Sequence, residues 1–246
     1  MQCNIKSLIG YVLGAKDGEI GKVTEFYFDD NDGTVRYLIV KTGSWLFGRN
    51  VLVSPQAVQS IDYEKKEFIV NLTKEQVKDS PDIDTDKPVS RQQEIDLYGH
   101  YAWQRYGGNG FYAGSVWSVL PAEIELNTAT TINEDGTEKE MDYDLHLRST
   151  STLHGYHIEA IDGEFGYISD FVVDCETWKI LYLVVDTHHL FGGKKVMITV
   201  DHIKEINWEH SKVVLNIPID IVKRSPLFDE AEYHNPKSET PSVITY

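Results

Sequence analysis

A chain of 246 residues that is 41% hydrophobic, 25% charged and 11% aromatic has the composition of a folded protein, long enough to bury one large core or two ordinary ones. Its formal charge of -16 argues against nucleic acid as a partner, because that affinity comes largely from Lys and Arg neutralising phosphates, and it disfavours anionic membrane surfaces for the same reason. Acidity of this size favours solubility and basic partner surfaces.

The start, "MQCNIKSLIGYVLGAKDGEIG", lacks a basic region followed by a sustained apolar run, so no signal peptide is expected. No stretch has the roughly 18 apolar residues that a membrane span requires. Cys3 and Cys175 are far apart in sequence, so neither a disulfide framework nor a CxxC metal knuckle is expected, and a reducing compartment fits. The expected location is the cytoplasm, with peripheral membrane association left open.

Five β-branched or aromatic runs follow: "GYVLGA", "KVTEFYFD", "VRYLIVK", "NVLVS" and "EFIVNL". Asp17-Gly18 reads as a hairpin turn, with Gly supplying a positive φ, and Gly21 as a bulge or close-approach position. Ser54-Pro55 reads as the start of a helical turn. Thr73 and Gln76 form a capping-box pattern that opens a short helix, "TKEQVKDSP", ended by Ser80-Pro81. The schedule then recurs. Laying Gly10 over Gly155 gives one gapless offset from Leu8/Leu153 to Pro81/Pro226, with Asp17/Asp162, Gly18/Gly163, Gly21/Gly166, Tyr37/Tyr182 and Ser80/Ser225 identical. The period is too long for a solenoid, so the chain holds a duplicated domain. Short antiparallel strands in so few residues most simply cover their edges by closing into a small barrel.

The order Gly10-Tyr11, Asp17-Gly18-Glu19-Ile20-Gly21, Asp29, "VRYLIV", "NVLVSP" and "VKDSP" resembles the PRC-barrel family, the small β-barrel of the cytoplasmic part of the photosynthetic reaction-centre H subunit and of a ribosome maturation factor. The second copy, from "HLRSTSTLHGYHIEAIDGEFGYI" to "VKRSP", is similar to bacterial proteins carrying two such barrels. The resemblance implies a mainly β fold: two small antiparallel PRC-type barrels, each closed by a short helix and joined by a helical, aromatic-rich linker. Expected domains are residues 1–81, a linker at 82–148, residues 149–226 and a flexible tail at 227–246.

Within the linker, Ser90 and Gln93 can cap a helix through "RQQEIDLYGHYAWQRY". Tyr98, Tyr101, Trp103, Tyr106, Phe111, Tyr112 and Trp117 crowd one short stretch, and such rings need an apolar partner, either the barrels or another protein. Residues 127–144 read as a solvated loop. "YGGNG" lacks the spacing and the Lys of a phosphate loop.

Candidate chemistry is sparse. "DDNDG" at 29–33 fails the calcium-loop register, because Gly33 stands where Asp or Asn is needed, and reads as a turn. His188, His189, His202 and His210 have no His counterparts in the first copy, and adjacent histidines on a strand point to opposite faces, so no metal is expected. Without a nucleophile elbow, dinucleotide fingerprint or Cys–His pairing, neither catalysis nor a cofactor is expected. The loops "GSWLFGRN" and "HHLFGGKK" place Trp45, Phe47, Leu190 and Phe191 where polar residues are usual. Apolar tips of this kind fold over a barrel mouth or meet a partner, and burial is the reading preferred from sequence. Together with Tyr101, Trp103, Tyr106, Phe111 and Tyr112 they form the candidate interaction surface. The expected role is a non-enzymatic binding or scaffold module with a protein partner or self-association. The alternatives are a small-molecule carrier with a pocket between the barrels and a soluble stress or ribosome-maturation accessory protein.

Overall fold

The computed structural model describes residues 1–80, 96–97, 99–102, 129–132, 138–141, 147–187 and 192–234. The first repeat contains β1 (Gln2–Asn4), α1 (Ile5–Leu8), β2 (Val12–Ala15), β3 (Gly18–Asp29), β4 (Val35–Thr42), β5 (Asn50–Val53), β6 (Val58–Asp62), β7 (Glu67–Val70) and α2 (Lys74–Lys78). A hairpin of β8 (Ala129–Ile132) and β9 (Glu138–Met141) follows, inside the stretch expected to be a solvated loop. There the β-branched "ATTI" is set apart from its partner by "NEDGT", which is turn chemistry. The second repeat has β10 (Leu147–Ser149), α3 (Thr150–Leu153), β11 (His157–Ala160), β12 (Gly163–Asp174), β13 (Ile180–Asp186), β14 (Lys195–Thr199), β15 (Ile203–Asn207), β16 (Lys212–Leu215) and α4 (Ile219–Val222), and then α5 (Glu230–His234).

Each repeat builds the same sheet, β5-β4-β3-β2-β7-β6 in the first and β14-β13-β12-β11-β16-β15 in the second. Two expectations are corrected. The sheets are not closed barrels: each path ends on strands that do not pair with each other. Only Ser54–Ala57 connects β5 to β6, and the 3-10 turn at Pro55–Ala57, capped by the Ser54 side chain accepting from Gln56 N–H, redirects the chain onto β7. The sheets are also not purely antiparallel, because β2 pairs parallel with β7 and β11 with β16. The short helices do end each repeat, and Thr73 and Gln76 form the reciprocal capping box read from sequence.

The turn glycines hold their expected places. Gly18 and Gly163 have φ of 128° and 154°, and the register shifts beside Leu13, which faces Gly21, as a bulge requires. A Cβ at Gly21 would overlap the Lys41 carbonyl oxygen, and one at Gly166 the Asp186 carbonyl oxygen, so β3 and β12 bend against their neighbours. Gly21→Ala should therefore destabilise the protein by about 1–3 kcal/mol in a urea titration, because the atom in the way is backbone and cannot swing aside.

The repeats exchange strands. β1 pairs with β12 of the second repeat (Gln2↔Asp174, Cys3↔Val173, Asn4↔Val172), and β10 pairs with β3 of the first (Leu147↔Asp29, Arg148↔Phe28, Ser149↔Tyr27). These two sets are the same positions under the sequence offset, so the molecule has an internal pseudo-two-fold axis. On that axis Thr34 bridges its own counterpart Lys179, with Val35 N–H donating to the Trp178 carbonyl at 2.8 Å and Ile180 N–H to the Gly33 carbonyl at 2.9 Å. One hydrophobic core runs through both repeats, from Leu13, Phe26 and Phe68 to Phe171, Leu183 and Val213. The strand that completes each sheet thus comes from the opposite repeat.

Residues 227–234, the described part of the stretch expected to be a flexible tail, make contacts with the second repeat. Leu227 bridges Val196, Phe228 N–H donates to the Lys195 carbonyl at 2.9 Å, and Tyr233 packs on Val172, Val184 and Met197 with only 2% of its surface exposed. Of the linker, residues 96–97 and 99–101 are helical, and Leu97 and Tyr101 are buried. Ala102, with φ of 54°, is a turn residue, and the other positions of the expected aromatic helix lie outside the described residues. No helix among the described residues is long and apolar enough to cross a membrane.

Candidate functional site

The loop between β4 and β5 divides the apolar tip that the sequence singles out. A 3-10 turn at Ser44–Leu46 folds back on the sheet, Trp45 Nε1 donates to the Ile20 carbonyl at 2.8 Å, and Leu46 is buried. Phe47 does the opposite. It adopts the left-handed conformation, with φ of 55°, and leaves 98% of its surface in solvent. That conformation costs a non-glycine residue roughly 1–2 kcal/mol, and full exposure of the ring returns nothing to the fold.

Cations stand at the base of this loop. Lys74 Nζ lies 4.9 Å from the centre of the Trp45 ring, and Lys22 and Lys41 face each other across β3 and β4. Like charges directly opposite in a sheet are destabilising, yet Lys22 and Lys41 make no ion pair among the described residues. Their counterparts in the second repeat, Tyr167 and Asp186, attract each other, with the Tyr167 hydroxyl donating to the carboxylate at 3.4 Å. An acidic protein therefore carries a locally basic, apolar-tipped loop on its first repeat. Leu190 and Phe191, the corresponding tip, lie outside the described residues, as do Trp103, Tyr106, Phe111 and Tyr112. Tyr101 is buried, and burial pushes its hydroxyl pKa up against the opposing hydrogen bond with Ser80 and the nearby Arg49. It packs inward rather than presenting a recognition surface.

The acidic turns have structural partners. Asp17 accepts the Lys74 N–H at 2.9 Å and Asp162 the Ile219 N–H at 2.8 Å, so each hairpin is tied to the first turn of the helix that ends its repeat. In "DDNDG", Asp29 pairs with Arg36 at 3.0 Å, Asp30 with Arg148 at 2.9 Å, and Asp32 accepts the Thr34 N–H. Asn207 Oδ1 accepts the His210 backbone N–H at 2.9 Å and closes that turn, and His202 ends a 3-10 turn. His188 and His189 lie outside the described residues, among which no three metal-ligating side chains converge.

Sequence reasoning missed the seam between the repeats. Cys3 and Cys175, expected to stay apart, form a disulfide with Cα atoms 6.2 Å apart, within the normal range for such a bond. Strand exchange is the reason, because β1 lies along β12 and brings Cys3 to the turn that follows it. The offset maps Cys3 onto Arg148 and Cys175 onto Asp30. One exchanged strand is fastened covalently, and its twin by an ion pair. Just inside, Asn4 Nδ2 donates to Asp170 at 2.7 Å and Lys6 N–H at 3.0 Å, and Ser149 donates to Glu25, their counterparts.

Beside the disulfide is a cavity of about 550 Å³ between β6 and the turn after β12, lined among others by Gln56, Ser60, Tyr63, Cys175, Glu176 and Trp178. Trp178 forms its inner wall with φ of 58°, the same left-handed geometry as its counterpart Gly33, and its ring reaches Phe26 and Phe68 at centroid distances of 6.3 and 6.2 Å. Burial and the neighbouring Tyr11 push the Tyr63 hydroxyl up to about 12.

No curated protein matches the chain. The family comparison agrees with the strand schedule and turn chemistry of the first repeat: residues 5–77 match the model of the PRC-barrel domain, and the chain contains a PRC-barrel domain there.

Proposed function

We propose that this protein is a non-enzymatic binding or scaffold module of two PRC-type units that docks another protein at the Phe47 end of the first repeat. The observation that carries the reading is Phe47 itself, exposed over 98% of its surface in a backbone conformation that costs free energy. The unpaired Lys22 and Lys41, with Lys74, set the chemistry of the partner: an acidic segment bearing an apolar pocket for one aromatic ring. The absence of catalysis in this reading rests on how the carboxylates are used, in turns, helix ties and ion pairs. Neither nucleic acid nor a cofactor enters it.

The test compares Phe47→Ser and the double variant Lys22→Glu/Lys41→Glu with Trp45→Ser, using a partner co-purified from the native cell and then re-bound in pure form. Phe47→Ser and the lysine variant should keep the parental melting temperature and weaken binding by roughly tenfold or more. Trp45→Ser should lower the melting temperature, since it removes a packed indole and its hydrogen bond. Unchanged binding in both tip variants refutes the docking surface, and sizing across a concentration series shows whether the acidic partner is a second copy. The cavity of about 550 Å³ at the seam supports a second reading, a small-molecule carrier; an ultraviolet-absorbing ligand released on unfolding the native protein would favour it.

A further inference from the structure

We infer that the seam cavity is a thiol-exchange site: a small polar thiol enters it, attacks Cys175, and opens the disulfide that fastens β1 to the second repeat. Three observations converge. The two sulfurs are unequal in access, because Cys3 is wholly buried whereas Cys175 is half-buried and lines the cavity. The volume of about 550 Å³ admits a tripeptide-sized molecule, and Gln56, Ser60 and Thr177 offer polar contacts along its wall. The leaving sulfur has a partner, since the Tyr63 hydroxyl lies 3.4 Å from Cys3 Sγ. Its raised pKa keeps that hydroxyl protonated, so it is a donor to a departing thiolate.

Thiol–disulfide exchange proceeds by in-line attack of a thiolate, and the sulfur attacked is the one that can be reached. The incoming thiolate forms an S–S bond to Cys175 as the Cys175–Cys3 bond breaks, and the electron pair leaves on Cys3, which is held by the Tyr63 hydroxyl and takes a proton from solvent. A second thiolate then attacks the mixed disulfide, releasing the oxidised small thiol and the Cys175 thiolate. Two electrons pass from two small thiols to the protein disulfide, and re-oxidation by a small disulfide reverses both steps. The twin fastening, Arg148 with Asp30, cannot respond to thiols. Exchange therefore loosens one of two otherwise equivalent strands, and this asymmetry separates the inference from general destabilisation.

The experiment treats the full oxidised chain, without denaturant, with reduced glutathione, followed by alkylation and peptide mapping, with amide hydrogen exchange in parallel. The first product should carry glutathione on Cys175 and the alkyl group on Cys3. Amide exchange should rise at Gln2–Asn4 and Val172–Asp174 while Leu147–Ser149 stays protected. Ser60→Trp, an exposed position on the cavity wall, should suppress the adduct at unchanged urea stability. A first adduct on Cys3, reaction only in denaturant, equal loosening of both exchanged strands, or free thiols in the untreated protein would each overturn the inference. None of these outcomes depends on whether Phe47 docks a partner.

Discussion

Trp178→Ala should lower the unfolding free energy by about 3–5 kcal/mol, the usual cost of emptying a large aromatic site in a packed core, with a lower urea midpoint and an unchanged slope. Trp178 is 6% exposed, and its ring stacks on Phe26 and lies tilted to Phe68 of the other repeat, so truncation removes these ring contacts at the seam and widens the cavity that Trp178 lines. A second comparison isolates the backbone contribution. At φ of 58° alanine keeps the left-handed penalty and glycine does not, so Trp178→Gly should be the milder change by about 1 kcal/mol. Glycine is also what the first repeat carries at the matching position, Gly33, where φ is 71°. If Trp178→Gly proved the more damaging, the positive φ would not be a cost at this site.

The second large effect is expected at Asp170. Its carboxylate is 5% exposed and accepts from Asn4 Nδ2, Lys6 N–H and its following amide, Phe171 N–H, at 2.7 to 3.0 Å. Asp170→Ala leaves the Asn4 amide on the exchanged strand and the Lys6 N–H in the helix after it without an acceptor, and should cost about 3 kcal/mol. Burial raises the Asp170 pKa, and the hydrogen bonds only partly oppose it. The native state then holds the proton more tightly than the unfolded chain, so this group makes stability fall as pH rises from the ordinary carboxylate pKa of about 3.9 to the raised folded value. Asp170→Asn cannot ionise, and its amide N–H has a ready acceptor in Asn4 Oδ1, which is buried without a partner. The stability of Asp170→Asn relative to the parent should therefore grow with pH through that window and level off above it. A gap that shrinks with rising pH would refute the raised pKa. The counterpart Glu25 sits half-exposed against Ser149 and Ser151, and Glu25→Ala should cost no more than about 1 kcal/mol.

The elements that could be read from sequence are those whose signal is local. The Thr73/Gln76 capping box, the Asp17-Gly18 and Asp162-Gly163 turns and the close approach at Gly21 each depend on residues a few positions apart or on a steric property of glycine. The gapless offset by itself makes the duplication plain. The Phe47 loop was recognised as unusual, but not the division between a folded Trp45 and a projecting Phe47, because that division depends on whether the Ile20 carbonyl lies within reach of the indole N–H. The open sheets were missed because closure is decided by where a four-residue connection sends the chain, and propensity carries no such information.

What the sequence by itself determined is the repeat, its strand schedule and its turn chemistry, since hydrophobic periodicity and glycine sterics are properties of neighbouring residues. Only the tertiary structure decided how the repeats meet. Strand exchange brings Cys3 to Cys175, Asn4 to Asp170 and Arg148 to Asp30. Cys3 and Cys175 lie 172 residues apart in sequence. Over such separations the unfolded chain carries no preference for one partner over another, and proximity arises only when both sheets have formed and each needs a strand from the other repeat to complete it.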